Sequence, residues 1–475
     1  MSSRGTASQI VAAFAASFDS SKLRKDHVAQ VGRALVDTMA VAIAAQHEPA
    51  VRRAYDYVET LTPPLAEEQG TRPGRLASLW GRGQQSTVEG AALFNGIAAH
   101  ALDFDDASSP MSGHPSIVLL PCLIALAEAR HIEGMRVASA YVVGFEVCCK
   151  LGRALDLTHY SRGWHMTATM GTIGAAAACG HLLGLDAERI THAIGLALAQ
   201  TGGTRENFGT DAKAFQAGQA NAAAIRAVLL AERGFTASPQ ALDGGAGFTK
   251  LYSGGEDIAP VLATLGSQPL EIDSSGIEVK KYPACYGIHR PLDGLFDLMA
   301  ERSFGLEDVE RIDIETSYGV LAPLVRHPPC NGTEGKFSME YTIAAAIADR
   351  GVRLSSYSDE AVTRPSIAPY LGRIATREVT AIMIPRWASI AVVFKDGQIR
   401  KRRIDALRGS PQSPLSDEEL LAKVSDCISW GCSSVRPADL LEATRRLGTT
   451  STRDLIAMIE DPTCRLRSCN NASPI

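Results

Sequence analysis

The chain of 475 residues lacks an excess of charge of either sign, because 47 Lys and Arg stand against 52 Asp and Glu, which gives a formal net charge of −5. Proteins that hold the phosphates of nucleic acid usually carry a basic excess, so no nucleic-acid partner is expected. Aromatic residues make up only 6%, whereas hydrophobic residues make up 45% and charged residues 21%. This composition excludes a wholly disordered or fibrous chain and allows a large apolar core.

The sequence also lacks a long uninterrupted apolar run. The longest one, residues 117–127, contains Pro121 and is shorter than the roughly 18 residues that a membrane-spanning helix needs. The N-terminal residues do not contain the apolar segment of a signal peptide. We therefore expect neither a membrane partner nor secretion.

The ten cysteines include no CxxC pair, and no set of Cys and His has the spacing of a zinc finger. Several of these cysteines lie in apolar helical segments, where Cys behaves as a small hydrophobic residue. The pattern favours a reducing compartment, and we expect a cytoplasmic protein.

Alternation with a period of two residues, which is typical of half-buried strands, is almost absent from the first 265 residues or so. This part is rich in Ala, Gly and Leu with helical periodicity. Ser86 and Glu89 have the spacing of a capping box, and Gly234 is a candidate C-cap. The predicted helices are residues 36–45, 86–101, 118–129, 137–151, 171–183, 187–200 and 214–233.

Strand patterns begin after Gly, Pro and Ser interrupt the chain near residues 265–275. Asp396-Gly397 is a strong hairpin signal between two apolar segments. The predicted strands are residues 312–316, 379–384, 388–394 and 398–404. The predicted helices are residues 291–302, 338–349, 417–430, 437–446 and 452–459.

This order of elements predicts a mainly α protein with an inserted α+β part. Residues 1–268 are expected to form the first part of a large all-helical domain, and residues 269–405 a smaller α+β domain. We expect residues 406–475 to rejoin the helical domain as its C-terminal part.

The densest polar cluster falls between two helices with apolar faces. It contains His100, Asp103, Asp105, Asp106 and His114. Such groups are costly to place near a helical core unless they are paired or used. A solvated loop, with Asp105 or Ser112 as an N-cap, is an equally good interpretation. A metal site is a weaker alternative, because the cluster has neither HExxH nor facial-triad spacing.

Two further ionisable groups precede or begin predicted helices. His165 follows Arg162-Gly163-Trp164, and histidine can accept and donate protons near neutral pH. Taken alone, it is more often a structural residue. Lys213 lies in a first helical turn, where it opposes the helix dipole. An anion held by the helix N-terminus and the ammonium group would explain it, and so would a solvated lysine.

A fourth segment contains Lys280, Lys281 and Cys285. If the two lysines lie on a strand, they point to opposite faces, so only one of them enters a cleft. Cys285 is a nucleophile only if its pKa is depressed. We expect the segment to form a wall of a binding site.

Together these motifs resemble those of the MmgE/PrpD family. The resemblance extends over about residues 8–460 and rests on residues 100–106, 113–116, 163–165, 211–213, 280–285 and 338–341. It implies a helical domain built from both chain ends, a smaller α+β lid domain, and usually a homodimer. Members include 2-methylcitrate dehydratase, cis-aconitate decarboxylase and iminodisuccinate epimerase, which act on small polycarboxylates without a metal or organic cofactor.

The resemblance also implies roles for individual residues. His114 and His165 are expected to share the acid and base roles, and Asp103 to orient a histidine or act as the base. The substrate-binding residues that it implies are Lys213, Lys280, Cys285 and His100. In the decarboxylase, Thr stands where this chain has Ala107 and His where it has Cys285.

We therefore expect a cofactor-independent enzyme that acts on a di- or tricarboxylate. The expected reaction is the elimination of water, which makes the enzyme a lyase. An epimerase that uses the same groups as two bases is the first alternative. A decarboxylase is the second, and Ala107 and Cys285 count against it. A helical scaffold without activity is disfavoured, because the core set of ionisable residues is complete.

Overall fold

The computed structural model describes residues 5–62, 76–379 and 386–459. The chain divides into two compact units, one formed by Met1–Glu278 with Cys427–Ile475 and the other by Val279–Asp426. Both units contain helices, and strands are few, which agrees with the mainly α class predicted from the sequence. The predicted domain boundaries at 268/269 and 405/406 stay a prediction.

The helices of the first unit make up most of its mass. In chain order, those of eight residues or more before residue 279 are α1 (Ala7–Ser17), α2 (Lys25–Ala44), α3 (Pro49–Leu61), α4 (Val88–His100), α5 (Ser116–Arg130), α6 (Gly134–Ser161), α7 (Met166–Leu183), α8 (Ala187–Leu198) and α9 (Asp211–Glu232). Short helical turns in this part are Ser20–Lys22, Ala45–His47, Arg205–Asn207, Phe248–Tyr252, Ala259–Leu262 and Glu271–Ser274.

The remaining helices belong to the second half of the chain. They are α10 (Tyr286–Glu301), α11 (Met339–Asp349), α12 (Asp417–Trp430), α13 (Pro437–Arg445) and α14 (Thr452–Ile459). Shorter ones are Leu306–Asp308, Gly332–Lys336, Leu354–Tyr357, Asp359–Val362 and Ala368–Leu371. In the first unit α13 packs against α2 and α14 against α5.

Helix α7 is the central helix of the first unit. It packs against α5, α6, α8 and α9, and nearly all of its residues are buried. A helix that is apolar on every side is stable only inside a core. Helices α4 and α9 approach closely at Gly218, where an added Cβ would lie 2.4 Å from the carbonyl oxygen of Leu93.

Two features of the first unit differ from the prediction. A short antiparallel hairpin, β1 (Leu76–Leu79) with β2 (Gln84–Thr87), precedes α4 in the part expected to be entirely helical. The capping box of Ser86 and Glu89 is also wrong, because Ser86 lies on β2. The N-cap is Thr87, whose hydroxyl accepts the Gly90 N–H at 3.1 Å.

Helix ends are set partly by packing that the sequence pattern does not show. Helix α6 continues ten residues beyond the predicted end at 151, to Ser161. In this extension His159 is fully buried and its ring stacks on Trp164. At the end of α9, in contrast, Gly234 has a φ of +85° directly after the C-cap Arg233, which confirms the predicted stop.

A four-stranded sheet forms the centre of the second unit. Its strand order is β4 (Ile374–Glu378), β3 (Val309–Thr316), β5 (Ala388–Phe394) and β6 (Ile399–Ile404). Strand β3 is parallel to β4 and antiparallel to β5, and Gly397, with a φ of +81°, lies in the predicted turn between β5 and β6. The strand predicted at 379–384 lies outside the described residues, apart from Val379.

One helical stretch, Lys25–His47, is long and apolar enough to cross a membrane by length and composition. However, 78% of its most apolar window is buried inside the protein. Buried helices in the core of a globular domain have this composition.

Candidate active site

The polar cluster lies where α4 ends and α5 begins. His100 is the last residue of α4, and the loop of residues 101–115 leads to Ser116 at the start of α5. The backbone of Ala107 pairs with that of Glu278 in both directions at 2.9 Å, which holds the loop in place. Asp103 has a φ of +53°, in the left-handed region that Asp tolerates better than most residues.

Asp105 connects the two histidines of this loop. One of its carboxylate oxygens lies 3.0 Å from Nδ1 of His100, and the other lies 2.8 Å from Nδ1 of His114. Asp105 and His100 are fully buried, whereas the His114 side chain is 17% exposed. Burial alone would raise the pKa of the Asp105 carboxyl group, but the two imidazoles hold it well below its usual value.

These contacts settle which ring nitrogens carry the protons in the neutral histidines. An ionised carboxylate only accepts hydrogen bonds, so Nδ1 of His100 donates to Asp105. Nδ1 of His114 also lies 2.7 Å from the carbonyl oxygen of Asp106, again an acceptor. In both rings Nε2 is therefore the nitrogen left with a lone pair. In His100 this atom is buried and has no hydrogen-bond partner among the described residues.

Burial keeps His100 neutral. It lowers the pKa of His100 to about 4, and the nearby Lys213 ammonium group acts in the same direction. The ring of His100 packs edge to face on that of His114, with centroids 4.7 Å apart. It also stacks on the ring of His165, at 6.1 Å.

Asp106 has a different function from its neighbour. Its carboxyl group accepts the backbone N–H of Ser116 at 3.2 Å and also bonds the Ser116 hydroxyl, so it caps the start of α5. Burial, and then the nearby Asp37, raise the pKa of Asp106 well above its usual value. The sequence predicted Asp105 or Ser112 as a possible cap of this helix, and that is wrong.

His165 is the N-cap residue of α7 and is buried. Its Nδ1 lies 2.6 Å from the side-chain oxygen of Gln216 on α9. Burial is the main cause that lowers the pKa of His165 well below its usual value, and the neighbouring His100 and Lys213 add to it. The His165 imidazole is therefore neutral near pH 7 and can accept a proton.

Lys213 lies in the first turn of α9, as the sequence predicts, and its Nζ atom is 2.7 Å from Oδ1 of Asp103. The ammonium group also lies 5.5 Å from the centre of the Phe208 ring. That ring packs against His165 with the two planes at 83° and the centroids 5.0 Å apart. Phe208 thus lies beside both the cation and the neutral base.

The fold brings together five of the residues singled out in the sequence, although they come from three separate segments. These residues are His100, Asp103, His114, His165 and Lys213. The other two, Lys280 and Cys285, belong to the second compact unit. Their participation in the same site stays a prediction.

The segment of Lys280 and Cys285 is not a strand, and the chain bends at residues 281–284. Lys280 is buried, whereas Lys281 is half-buried and its Nζ lies 2.5 Å from a carboxylate oxygen of Glu419. Cys285 is the N-cap of α10, and its backbone N–H donates to the carbonyl of Lys336 at 2.9 Å. Lys280 and Lys281 therefore lie in different environments, although they are adjacent in the chain.

The loop also contains a group of side chains with the geometry of a metal site. Ligand atoms of His100, Asp103, Asp105 and His114 lie within 4.8 Å of one another. However, Lys213 pairs with Asp103, and its ammonium charge would repel a metal ion. One Asp105 oxygen already accepts from His100, and the other lies 2.8 Å from Nδ1 of His114. This donor set therefore suits proton transfer better than a cation.

Gln216 and the acceptor function of Asp105 were not predicted from the sequence. Gln216 lies three residues after Lys213 on α9, so both are on one face of that helix. This spacing is the one signal that could have marked it. The acceptor function of Asp105 depends on where His100 and His114 lie after folding, which local spacing does not show.

Comparison with known proteins finds family models and relatives that match most of the chain. Residues 9–261 match the MmgE/PrpD N-terminal domain, and residues 282–447 match the MmgE/PrpD C-terminal domain. Cis-aconitate decarboxylase from Homo sapiens is 30% identical over 72% of this chain and 73% of its own length. A cis-aconitate decarboxylase-like protein from Aspergillus oryzae is 26% identical over 90% and 91%, and cis-aconitate decarboxylase from Aspergillus terreus 25% over 82% and 84%. The chain therefore belongs to the MmgE/PrpD family.

Proposed function

We propose that this protein is a lyase that acts on a small di- or tricarboxylate by acid–base catalysis without a bound cofactor. The observation that carries the proposal is the position of a neutral, buried His165 beside the Lys213 ammonium group, with Phe208 packed against both. A base next to a cation can remove a proton from the carbon beside a carboxylate, since the cation stabilises the charge that develops.

The residues have distinct functions in this proposal. His165 accepts the proton at Nε2, because its Nδ1 is bonded to Gln216. His114 is the donor to the leaving group in its imidazolium form, which carries a proton on Nε2 as well as on Nδ1, and its ring is the more exposed of the two in the loop. Asp105 holds the His114 ring in place, in the way that a buried carboxylate orients a catalytic histidine. Lys213 binds a substrate carboxylate while Asp103 holds its ammonium group in position.

Elimination of water is the reaction that we propose first. Ala107 offers no hydroxyl group at the position where the resemblance implies Thr in the decarboxylase, so one donor to a carboxylate is missing. Decarboxylation is the second candidate, because the relatives named above are called cis-aconitate decarboxylases. Both reactions need a proton to move at a carbon beside a carboxylate.

Lys280 and Cys285 are proposed as further substrate-binding residues, and residues 269–405 as a lid. Closure of a lid excludes water from a site of this kind. Hydrogen exchange with and without a dicarboxylate should then differ at residues 265–285 and 400–415. A homodimer in the cytoplasm completes the proposal.

Incubation with a panel of carboxylates in deuterium oxide tests the reaction. The panel consists of citrate, 2-methylcitrate, cis-aconitate, tartrate and iminodisuccinate, followed by proton NMR, ultraviolet absorbance and carbon dioxide release. Elimination gives an absorbing enoate, decarboxylation releases carbon dioxide, and epimerisation gives deuterium uptake with inversion. Turnover of none of them, by protein that remains folded, would contradict the proposed function.

A further inference from the structure

We infer that Gln216 is a positioning residue that fixes His165 in the tautomer with the proton on Nδ1, and so presents Nε2 as the proton acceptor. The catalytic consequence of this inference rests on the proposed function. The tautomer itself does not, and it can be measured without any substrate.

The orientation of the Gln216 amide follows from its two partners. Its nitrogen lies 3.1 Å from the carbonyl oxygen of Thr204, and its oxygen lies 2.6 Å from Nδ1 of His165. A backbone carbonyl only accepts hydrogen bonds, so the NH₂ end of the amide must face Thr204. The oxygen end then faces His165, and Nδ1 of that ring must be the donor.

Thr204 belongs to the same segment that holds the backbone of His165. The His165 N–H donates to the carbonyl of Gly203 at 3.0 Å, and the Arg205 N–H donates to the carbonyl of Gly163 at 2.8 Å. The segment therefore fixes both the histidine backbone and the amide that orients its ring. A rotation of the amide would lose the bond to Thr204 and the bond to His165 together.

The Gln216 side chain is closely packed against Gly203. Gly203 has a φ of +113°, and a Cβ added there would lie 2.9 Å from Cδ of Gln216. His165 and Gln216 are both buried, so water does not replace the amide as an acceptor. Gln216 occupies Nδ1 of His165, so Nε2 is the ring nitrogen that can meet a substrate.

A glutamine that only filled space would not set the tautomer, and three variants separate the two functions. Gln216→Met keeps the length of the side chain and removes the acceptor. Gln216→Glu keeps an acceptor and adds a negative charge. Gln46→Met is the matched control, because Gln46 is also buried and its amide donates to the carbonyls of Ala42 and Trp80.

The experiment is ¹⁵N NMR of protein labelled in histidine, with the His165 signals assigned by their loss in His165→Asn. We expect the neutral Nδ1–H tautomer in the wild type and a mixed or reversed tautomer in Gln216→Met. Gln216→Glu should keep the Nδ1–H tautomer and raise the pKa of the ring, because a carboxylate favours the imidazolium form. Gln46→Met should lower the melting temperature and leave the His165 signals unchanged.

Turnover gives a second readout. In Gln216→Met, kcat should fall about tenfold with little change in KM, which is the effect of losing one hydrogen bond of ordinary strength. In Gln216→Glu, activity should return and the acidic limb of the pH profile should move to higher pH. If Gln216→Met fails to fold, the Gln216→Glu titration decides alone.

Two results would overturn the inference. One is a wild-type His165 with its proton on Nε2. The other is the same tautomer and the same ring pKa in the wild type and in every folded Gln216 variant. Absence of turnover with a confirmed tautomer would instead refute the proposed function and leave the assignment of Gln216 intact.

Discussion

The ammonium group of Lys213 and the carboxylate of Asp103 form an ion pair at 2.7 Å, and both side chains are only 15% exposed. The pair brings a cation from the first turn of α9 to the loop that follows α4. A substrate carboxylate that binds Lys213 therefore meets an ammonium group that is already held in place, which reduces the entropy lost on binding.

Lys213→Ala should mainly raise KM. If Lys213 binds a carboxylate in both the ground state and the transition state, its loss weakens binding and affects kcat less. An increase of about tenfold or more is expected, since hydrogen bonds to charged groups contribute about 1.5–3 kcal/mol. Steady-state kinetics on the best substrate of the panel measures this, with the exposed Lys22→Ala as a control. Unchanged KM would remove Lys213 from the binding site.

Asp105→Asn should impair catalysis and stability together. An asparagine can keep the acceptor for His100, but it removes the negative charge and places an NH₂ group where the second carboxylate oxygen lies 2.8 Å from Nδ1 of His114. One imidazole then loses its orientation, and kcat should fall by about 100-fold. Kinetics and thermal unfolding of the same preparation check this, and Asp26→Asn at an exposed ion pair serves as the control. Wild-type kcat in folded Asp105→Asn would refute the orienting function.

Stability should decrease as the pH falls from about 6.5 to about 4. The pKa of His100 is about 4 in the folded protein and 6.5 in the reference state, so the unfolded chain binds the extra proton in this window. This residue does not reduce the free energy of unfolding above pH 6.5. It lowers that free energy by about 3 kcal/mol as the pH falls to 4.

Chemical denaturation of the wild type and of His100→Asn across this window tests the pH dependence. The variant has no titratable group at this position, so its stability should change less between pH 6.5 and 4. Equal slopes in the two proteins would show that His100 is not held neutral by burial.

Activity should survive treatment with a metal chelator. Lys213 lies against Asp103 in the group that has metal-site geometry, and a second cation there would be repelled. Incubation with EDTA, then dialysis and elemental analysis, should leave kcat unchanged. Loss of turnover that zinc, iron or magnesium restores would show that the four side chains hold a metal.

The sequence predicted the centres of the helices well and their ends less well. Helix α12 has the predicted bounds and α14 the predicted start, because apolar periodicity and the flanking polar residues agree there. Helix α6 runs past its predicted end because His159 packs inside the unit, next to Trp164. Local patterns do not contain that contact.

The candidate site likewise contains residues that the sequence predicted and contacts that it did not. His100, His114 and His165 were marked by residue type and by the resemblance, and the fold places their rings near one another. The acceptors that fix their tautomers, Asp105 and Gln216, were not predicted. Hydrogen-bond partners from distant segments are determined by tertiary structure, so spacing along the chain does not identify them.

Proton transfer by His165 is the step on which the proposed function depends, and the turnover of His165→Ala measures it. The variant and the wild type are compared in kcat, KM and melting temperature, with the substrate on which the wild type is most active. We expect a kcat lower by about 10²–10⁴-fold, the range for general acid–base groups, in a protein that remains folded and binds substrate. A folded His165→Ala protein with wild-type kcat would contradict it.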